Sequence, residues 1–359
     1  MSLEFKPDWE EARTRFQAWW AHECLGRAAI AVTAPRADLA DEAPPARPPT
    51  PLQRWTDLDY AAACNEYRMR RTFYGGEAFP VWSVGYPGHT AIPTFLGCPV
   101  ELDWDTGWWN PIVTGTGLEG VLDLRLDRGG YWWRFTIAAL ERAAREAAGR
   151  CLASVGAFGG CGDTLAALRG TDRLLLDVVD RPAEVIAAES YLMDVWCAVY
   201  DEFYRIVRAV SQGSTCWFSL WSPGKFYAAQ NDFSYMISPR MFRELFLPVI
   251  ERQTQFLDHT VYHVDGVAAF AHVPALCELP RLQAIQILPG AGKPSPLHYL
   301  DTLRYVQQAG KNLHITIPPE EVPEALRELR ATGLFIATWC ASEAEARQLL
   351  RQAERWSWG

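Results

Sequence analysis

Several kinds of feature are missing from this chain, and each absence removes a class of function. No apolar run approaches the roughly 20 residues needed to cross a bilayer. The opening residues Met1-Ser2-Leu3-Glu4-Phe5-Lys6 hold no apolar signal core. Positive charge is in short supply, since 34 Lys+Arg against 43 Asp+Glu leave a net charge of −9, the wrong sign for gripping a phosphate backbone. Nucleic acid and membrane are therefore excluded as expected partners. Cysteine occurs nine times between Cys24 and Cys340 but never as a C-x-x-C pair, the usage of a reduced cytosolic chain whose cysteines are mostly small core residues. The Gly-rich stretch from Gly156 to Asp163 spells neither G-x-G-x-x-G nor the P-loop pattern. It reads as a tight strand-to-helix turn with Asp163 capping the helix.

Apolar material is plentiful. The 359 residues are 49% hydrophobic and 21% charged, which excludes a small disulfide scaffold and a disordered polypeptide. Aromatic content is unusual, because the 16 Trp equal the 16 Phe in number. The expectation is a cytoplasmic globular protein with a sizeable core.

Periodicity predicts a helix from Trp9 to Cys24, then a strand-like run from Ala28 to Ala34. A stiff connection from Asp41 to Pro51 follows, with five prolines in eleven residues, and helix signals resume from Trp55 to Phe73. Residues 1–75 read as a helical, Pro-rich N-terminal extension of one domain spanning 1–359. Further strand-type runs are predicted at 79–85, 152–158, 216–221, 260–264, 284–288, 313–317 and 334–338, with helix patterns between most of them. The best of these is 183–210, where Val185, Leu192, Val199, Phe203, Ile206 and Val210 step along one face. Eight short apolar strands alternating with helices, and no dinucleotide fingerprint, favour a single-domain (β/α)8 TIM barrel over an open doubly wound sheet. Residues 101–130 fit neither unit and could hold a strand that displaces the Ala28 run.

In such a barrel the reacting groups stand at the carboxyl ends of the strands. The sharpest candidate is Tyr262-His263-Val264-Asp265-Gly266, where alternation aims His263 and Asp265 the same way. An imidazole and a carboxylate so placed form an acid–base pair or two metal ligands. Cys340, at the end of the last strand, is a candidate thiolate ligand or nucleophile. Asp232 is a second candidate acid. An aromatic strand end (Trp217 to Tyr227) opening into Gln230-Asn231-Asp232 suits a pocket for a neutral, ring-shaped or multi-hydroxyl ligand. Trp221, Tyr227 and Gln230 are expected in its wall with Trp82, His314 and Trp339, while for Trp217 core packing competes with a place in that wall. If residues 101–130 fold over the mouth, their tryptophans join that wall.

The run from Gln230 to Pro248, which contains Asp232, Ile237-Ser238-Pro239, Phe242, Leu245, Phe246 and Pro248, resembles a segment of the uroporphyrinogen decarboxylase superfamily. That superfamily includes zinc-dependent, corrinoid-linked methyltransferases. The later segments YHVDG at 262–266, IQILPGAG at 285–292, AGKNLHITIPPEEV at 309–322 and TWCASEAEARQLL at 338–350 agree in order, and the resemblance covers roughly residues 150–355. It implies a (β/α)8 barrel with the site at its mouth and makes the chain a divergent member. The arginine-rich N-terminal segment that holds tetrapyrrole carboxylates is missing; Arg68, Arg70 and Arg71 do not reproduce it. Against the H-x-C…C zinc pattern of the methyltransferases, His263 and Cys340 match and Asp265 stands where the middle Cys would be.

The resemblance therefore implies an enzyme acting on a small molecule, with Zn²⁺ on His263, Asp265 and Cys340, one-carbon transfer, a corrinoid partner and a homodimer. The alternatives are metal-free decarboxylation, with Asp265 or Asp232 steadying an intermediate and His263 donating the proton, and a non-catalytic ligand-binding barrel.

Overall fold

Near-continuous apolar runs build the centre of the molecule. The computed structural model describes residues 3–37, 42–83, 85 and 88–357. Asp41, Val84 and Trp358, which the sequence assigns to the Pro-rich connection, a strand and the C-terminus, lie outside the described residues. The strands formed are β1 (Ala29–Pro35), β2 (Thr72–Gly76), β3 (Val81–Trp82), β4 (Val100–Leu102), β5 (Gly107–Trp109), β6 (Leu152–Ala153), β7 (Phe226–Gln230), β8 (His259–Asp265), β9 (Ala284–Leu288), β10 (Asn312–Thr316) and β11 (Leu334–Trp339).

Seven of them make one sheet in the order β2-β1-β11-β10-β9-β8-β7. All neighbours are parallel except β2, which runs antiparallel to β1. Helices such as Leu300–Gln308, Val322–Glu328 and Glu343–Trp356 follow the strands. Strands covered on both faces lose the polar alternation of a surface strand, which is why these read as solid apolar runs. Register matters here: Gln230 sits opposite His263, His263 opposite Gln286, and Gln286 opposite His314. One row of polar side chains thus crosses four adjacent strands.

Two smaller pairings stand apart, parallel β3–β6 and the antiparallel hairpin β4–β5. Among the described residues no ladder joins β6 to β7 or β3 to β2, so the hydrogen-bonded strands form a mixed α/β structure with a central parallel sheet and do not close into a ring. Single bonds extend past the ladders, from Glu77 N, just after β2, to Ile30 O of β1 (3.0 Å) and from Val155 N, just after β6, to Thr215 O in the segment before β7 (3.0 Å).

The helix Trp9–Trp20 plugs the end of the sheet where the strands begin. Its Phe16 stacks on Phe335 at 5.7 Å, and the indole N–H groups of Trp19 and Trp20 donate to Gly333 O and Trp221 O. Burying such rings contributes roughly 1.5–3 kcal/mol each, so β1, β2 and this helix are part of the core and not an appendage to it. The helix Pro182–Ser211 buries Val185, Leu192, Val199 and Phe203 as the stepping predicts. The segment from Pro239 to Phe256 is helical with a widened turn at Phe242–Phe246. Pro248 has no N–H for the Glu244 carbonyl, and the turn widens where that bond is missing. Among the described residues no helix is long and apolar enough to cross a membrane.

Several sequence expectations change, and among the described residues the runs expected at 79–85 and 152–158 pair only at Val81–Trp82 and Leu152–Ala153. The strand expected at Cys216–Trp221 is a loop, pinched by the bridge between Ser214 and Ser222 and folded tightly where Leu220 N donates to Phe218 O (2.7 Å). The strand comes after the Pro223-Gly224 turn, as β7. Residues 101–130 hold the β4–β5 hairpin and the short helix Glu119–Leu122, and the Ala28 run keeps its place beside β11.

Candidate functional site

At the carboxyl ends of β7 and β8 lies a cavity of about 840 Å³, bordered by Trp108, Trp109, Trp217, Tyr227, Gln230 and His263 among others. Its chemistry begins with His263. The ring is nine-tenths buried, its Nδ1 pairs with Gln286 Oε1, and its Nε2 stands 3.9 Å from Asp265 Oδ2. An amide oxygen on Nδ1 makes that nitrogen the donor, so Nε2 carries the free lone pair. Burial lowers the imidazole's affinity for a proton, against smaller opposing effects of Gln286, Asp265 and Asp163, which favours the neutral ring. Trp217 stands edge-on to it at 5.1 Å and 88°.

Three carboxylates surround this ring. Asp265 ends β8, where Gly266 turns the chain at φ +87° and lies so close to Tyr235 that a Cβ would meet the ring at 2.6 Å. Asp232 opens the short helical turn after β7. Asp163 lies beneath both: its Oδ1 accepts from the backbone N–H groups of Asp232 (2.7 Å) and Phe233 (3.2 Å), and its Oδ2 accepts from Gln230 Nε2 (3.1 Å). Burial and then the neighbouring Asp163 and Asp265 push the Asp232 carboxyl up to about 7. Because Asp232 is open to the cavity, solvent moderates that shift; its upward direction follows from partial burial and then from the two acidic neighbours. One ligand atom each from Asp232, His263 and Asp265 lie within 4.8 Å of one another, the metal-competent group found among the described residues.

The sequence-based candidates divide. His263, Asp265 and Asp232 come together, and Tyr227 and Gln230 border the cavity with them. Cys340 does not join the group. Its N–H donates to Thr33 O (2.8 Å) at the end of β11, and β11 stands three strands from β8, roughly 14 Å at about 4.8 Å per strand. Asp232, following the adjacent β7, takes the third position instead. Trp82 and Trp339 do not border the cavity: Trp82 is buried in the β3–β6 pair, and Trp339 is half-exposed.

His314 lies inside the sheet, stacked on Phe335 at 5.1 Å and 13°, where burial and His263 depress it to about 3. Trp221 and Trp217 exchange roles. Trp221 is in the core, packed on Trp9 at 5.5 Å with its indole N–H donating to Ser211 O, while Trp217 borders the cavity. Both follow from the loop at 215–221, which lacks a strand's alternation.

Asp163 was the residue the sequence undervalued. Its helix, Cys161–Arg169, has Gly160 as N-cap with no side-chain cap bond, so the carboxylate serves the neighbouring turn and not its own helix. The signal lay in the glycines: a Cβ on Gly160 would meet the Gln230 carbonyl at 2.1 Å, and one on Gly162 would meet the Asn231 side chain at 2.3 Å. They let the helix start lie against the end of β7, which carries Asp163 to the site. Trp108 and Trp109, from the segment without an assignment, line the cavity from the β5 hairpin strand.

No family model matches the chain, and no curated protein matches it in sequence. Among solved structures it is similar to a methyltransferase from Methanosarcina mazei, with a TM-score of 0.65 and 12% identity over 96% of this chain and 98% of that one. At that identity the likeness establishes a methyltransferase-like fold.

Proposed function

From the fold shared with a methyltransferase, we propose that this chain is a small-molecule methyltransferase of the uroporphyrinogen decarboxylase superfamily type, with a divalent ion, Zn²⁺ first, on Asp232, His263 and Asp265. A (β/α)8 description belongs to the same proposal. The observation that carries it is the mutual approach of those three ligand atoms within 4.8 Å beside the cavity. Two further facts fit a cation there. His263 has its Nε2 free and its other nitrogen held by Gln286, the arrangement an imidazole ligand needs. Asp232 stands beside the like-charged Asp163 and Asp265, a repulsion that a cation would relieve.

Bound zinc would lower the pKa of a coordinated thiol or alcohol and make it a nucleophile. Two carboxylates and one imidazole form a harder donor set than one with thiolate. The chain's own residues orient the rest: Gln286 fixes the His263 ring, Asp163 holds the turn that carries Asp232, and the tryptophans exclude water around the substrate.

Metal-free decarboxylation has no comparable support, because among the described residues no Lys or Arg borders the cavity to hold a substrate carboxylate. Metal analysis of the purified protein tests the proposal. About one zinc per chain is expected in the native protein and in Cys340→Ser, and loss of metal in folded His263→Ala and Asp232→Ala. A native protein grown with zinc that contains none, or loss of the metal in Cys340→Ser with retention in Asp232→Ala, overturns it.

A further inference from the structure

The cavity that borders His263 has an electrostatic character that the metal proposal leaves unused. Its wall carries the rings of Trp108, Trp109, Trp217, Tyr227 and Phe233, the acids Asp163 and Asp232, and no Lys or Arg. Asp265 adds a third carboxylate within reach of His263. The residues outside the description, 1–2, 38–41, 84, 86–87 and 358–359, include no Lys or Arg either. The groups facing Asp232 are Asp163 and Asp265, both of its own sign, and the His263 ring, whose burial favours the neutral form.

Among the described residues no Lys or Arg covers these rings. Elsewhere on the molecule arginines already cover tryptophans: Arg47 lies 4.1 Å from the Trp104 ring, Arg54 lies 4.6 Å from Trp55 and Arg128 lies 5.4 Å from Trp133. None of the cation–π contacts among the described residues uses a ring of the cavity wall. A ring face carries partial negative charge and attracts a desolvated cation, most strongly when the ring is Trp. If a divalent ion sits on Asp232, His263 and Asp265, its charge and the two carboxylates cancel, and the ring faces remain.

We propose that the cavity takes an onium ligand, a small molecule whose head is a methylated ammonium or sulfonium, held by the faces of Trp108, Trp109 and Trp217. Anionic substrates of the same size are disfavoured there, since the wall has no side chain to pair with them. The inference deepens the methyl-transfer reading by naming the substrate class of the same site.

Isothermal titration calorimetry with choline, its uncharged isostere 3,3-dimethylbutan-1-ol and the anion 3,3-dimethylbutanoate tests it, with and without added zinc. Choline is expected to bind at least about tenfold tighter than the isostere, the preference that one or two good ring faces supply, with the anion weakest. Trp108→Leu, on a half-exposed ring, and Trp217→Leu should each cut choline's advantage at least about threefold. Equal binding of choline and isostere, preference for the anion, or no choline binding at millimolar concentration overturns the inference. Zinc content is read separately. Onium selectivity without zinc would sink only the metal proposal, and zinc without selectivity would sink only this one.

Discussion

Arg169 and Asp177 offer the most informative perturbation of the frame around the cavity. Both are almost wholly buried, with Arg169 Nε at 2.6 Å from Asp177 Oδ2. The guanidinium also donates to Val113 O (3.0 Å), Gly115 O (2.7 Å) and Thr116 O (3.4 Å), so it ties the segment after the β4–β5 hairpin to the helix that carries Asp163. Asp177→Leu removes the carboxylate and leaves a guanidinium buried with backbone carbonyls alone. Breaking one side of a buried pair costs about 3–5 kcal/mol; the three carbonyls keep this case near the lower figure, about 3 kcal/mol, or on the order of a hundredfold in the folded-to-unfolded ratio.

Arg181, which also reaches Asp177 (3.1 Å), is half-buried and adds little. The double variant Arg169→Met/Asp177→Leu removes both charges and should be less destabilised than the sum of the singles, by about 2 kcal/mol or more. Urea unfolding of the four proteins in one buffer measures this. Additivity within about 0.5 kcal/mol would refute the pairing as the reason these residues are buried.

Gly160→Ala places a methyl group 2.1 Å from the Gln230 carbonyl at an ordinary φ of −95°, so the cost is a clash with backbone and not backbone strain. A loss of about 1–3 kcal/mol is expected, and an unchanged urea midpoint would show that the helix start has room to move. His314, depressed to about 3, stays neutral in the folded chain while the unfolded chain protonates below about 6.5. Its contribution is therefore complete above pH 6.5 and is lost as pH falls toward 3, at up to about 1.4 kcal/mol per pH unit. His314→Phe should flatten stability between pH 6.5 and 4, and an equal slope in both proteins rejects the assignment.

The parts of the fold visible in the sequence were those set by local periodicity. β8, β9, β10 and β11 fall within a residue or two of the expected runs, because strands buried on both faces are written as continuous apolar text. His263, Asp265 and Asp232 were legible as candidates because a charge at the end of such a run needs a partner. What failed was strand phase and distance across the sheet. Treating 216–221 as a strand exchanged Trp217 with Trp221. Chain position made Cys340 look like a neighbour of His263, whereas the strand order puts β9 and β10 between them. Asp163 was hidden for another reason: its partners are backbone N–H groups some seventy residues away, which no local pattern encodes.

The pairing of β1 with β11 also governs when this molecule can be finished. Ala29 lies opposite Phe335, so the parallel edge of β1 waits for about 300 further residues to be made, which at about 5–20 residues per second takes roughly 15–60 s. During that interval β1 has one partner available early, the antiparallel β2 at Thr72–Gly76. A hairpin-like partner so close in the chain occupies one open edge while the other remains free to template wrong pairings. Slow synthesis near the codons for β11 would lengthen this exposure, and the N-terminal half of the nascent chain is where a ribosome-associated chaperone would find its target.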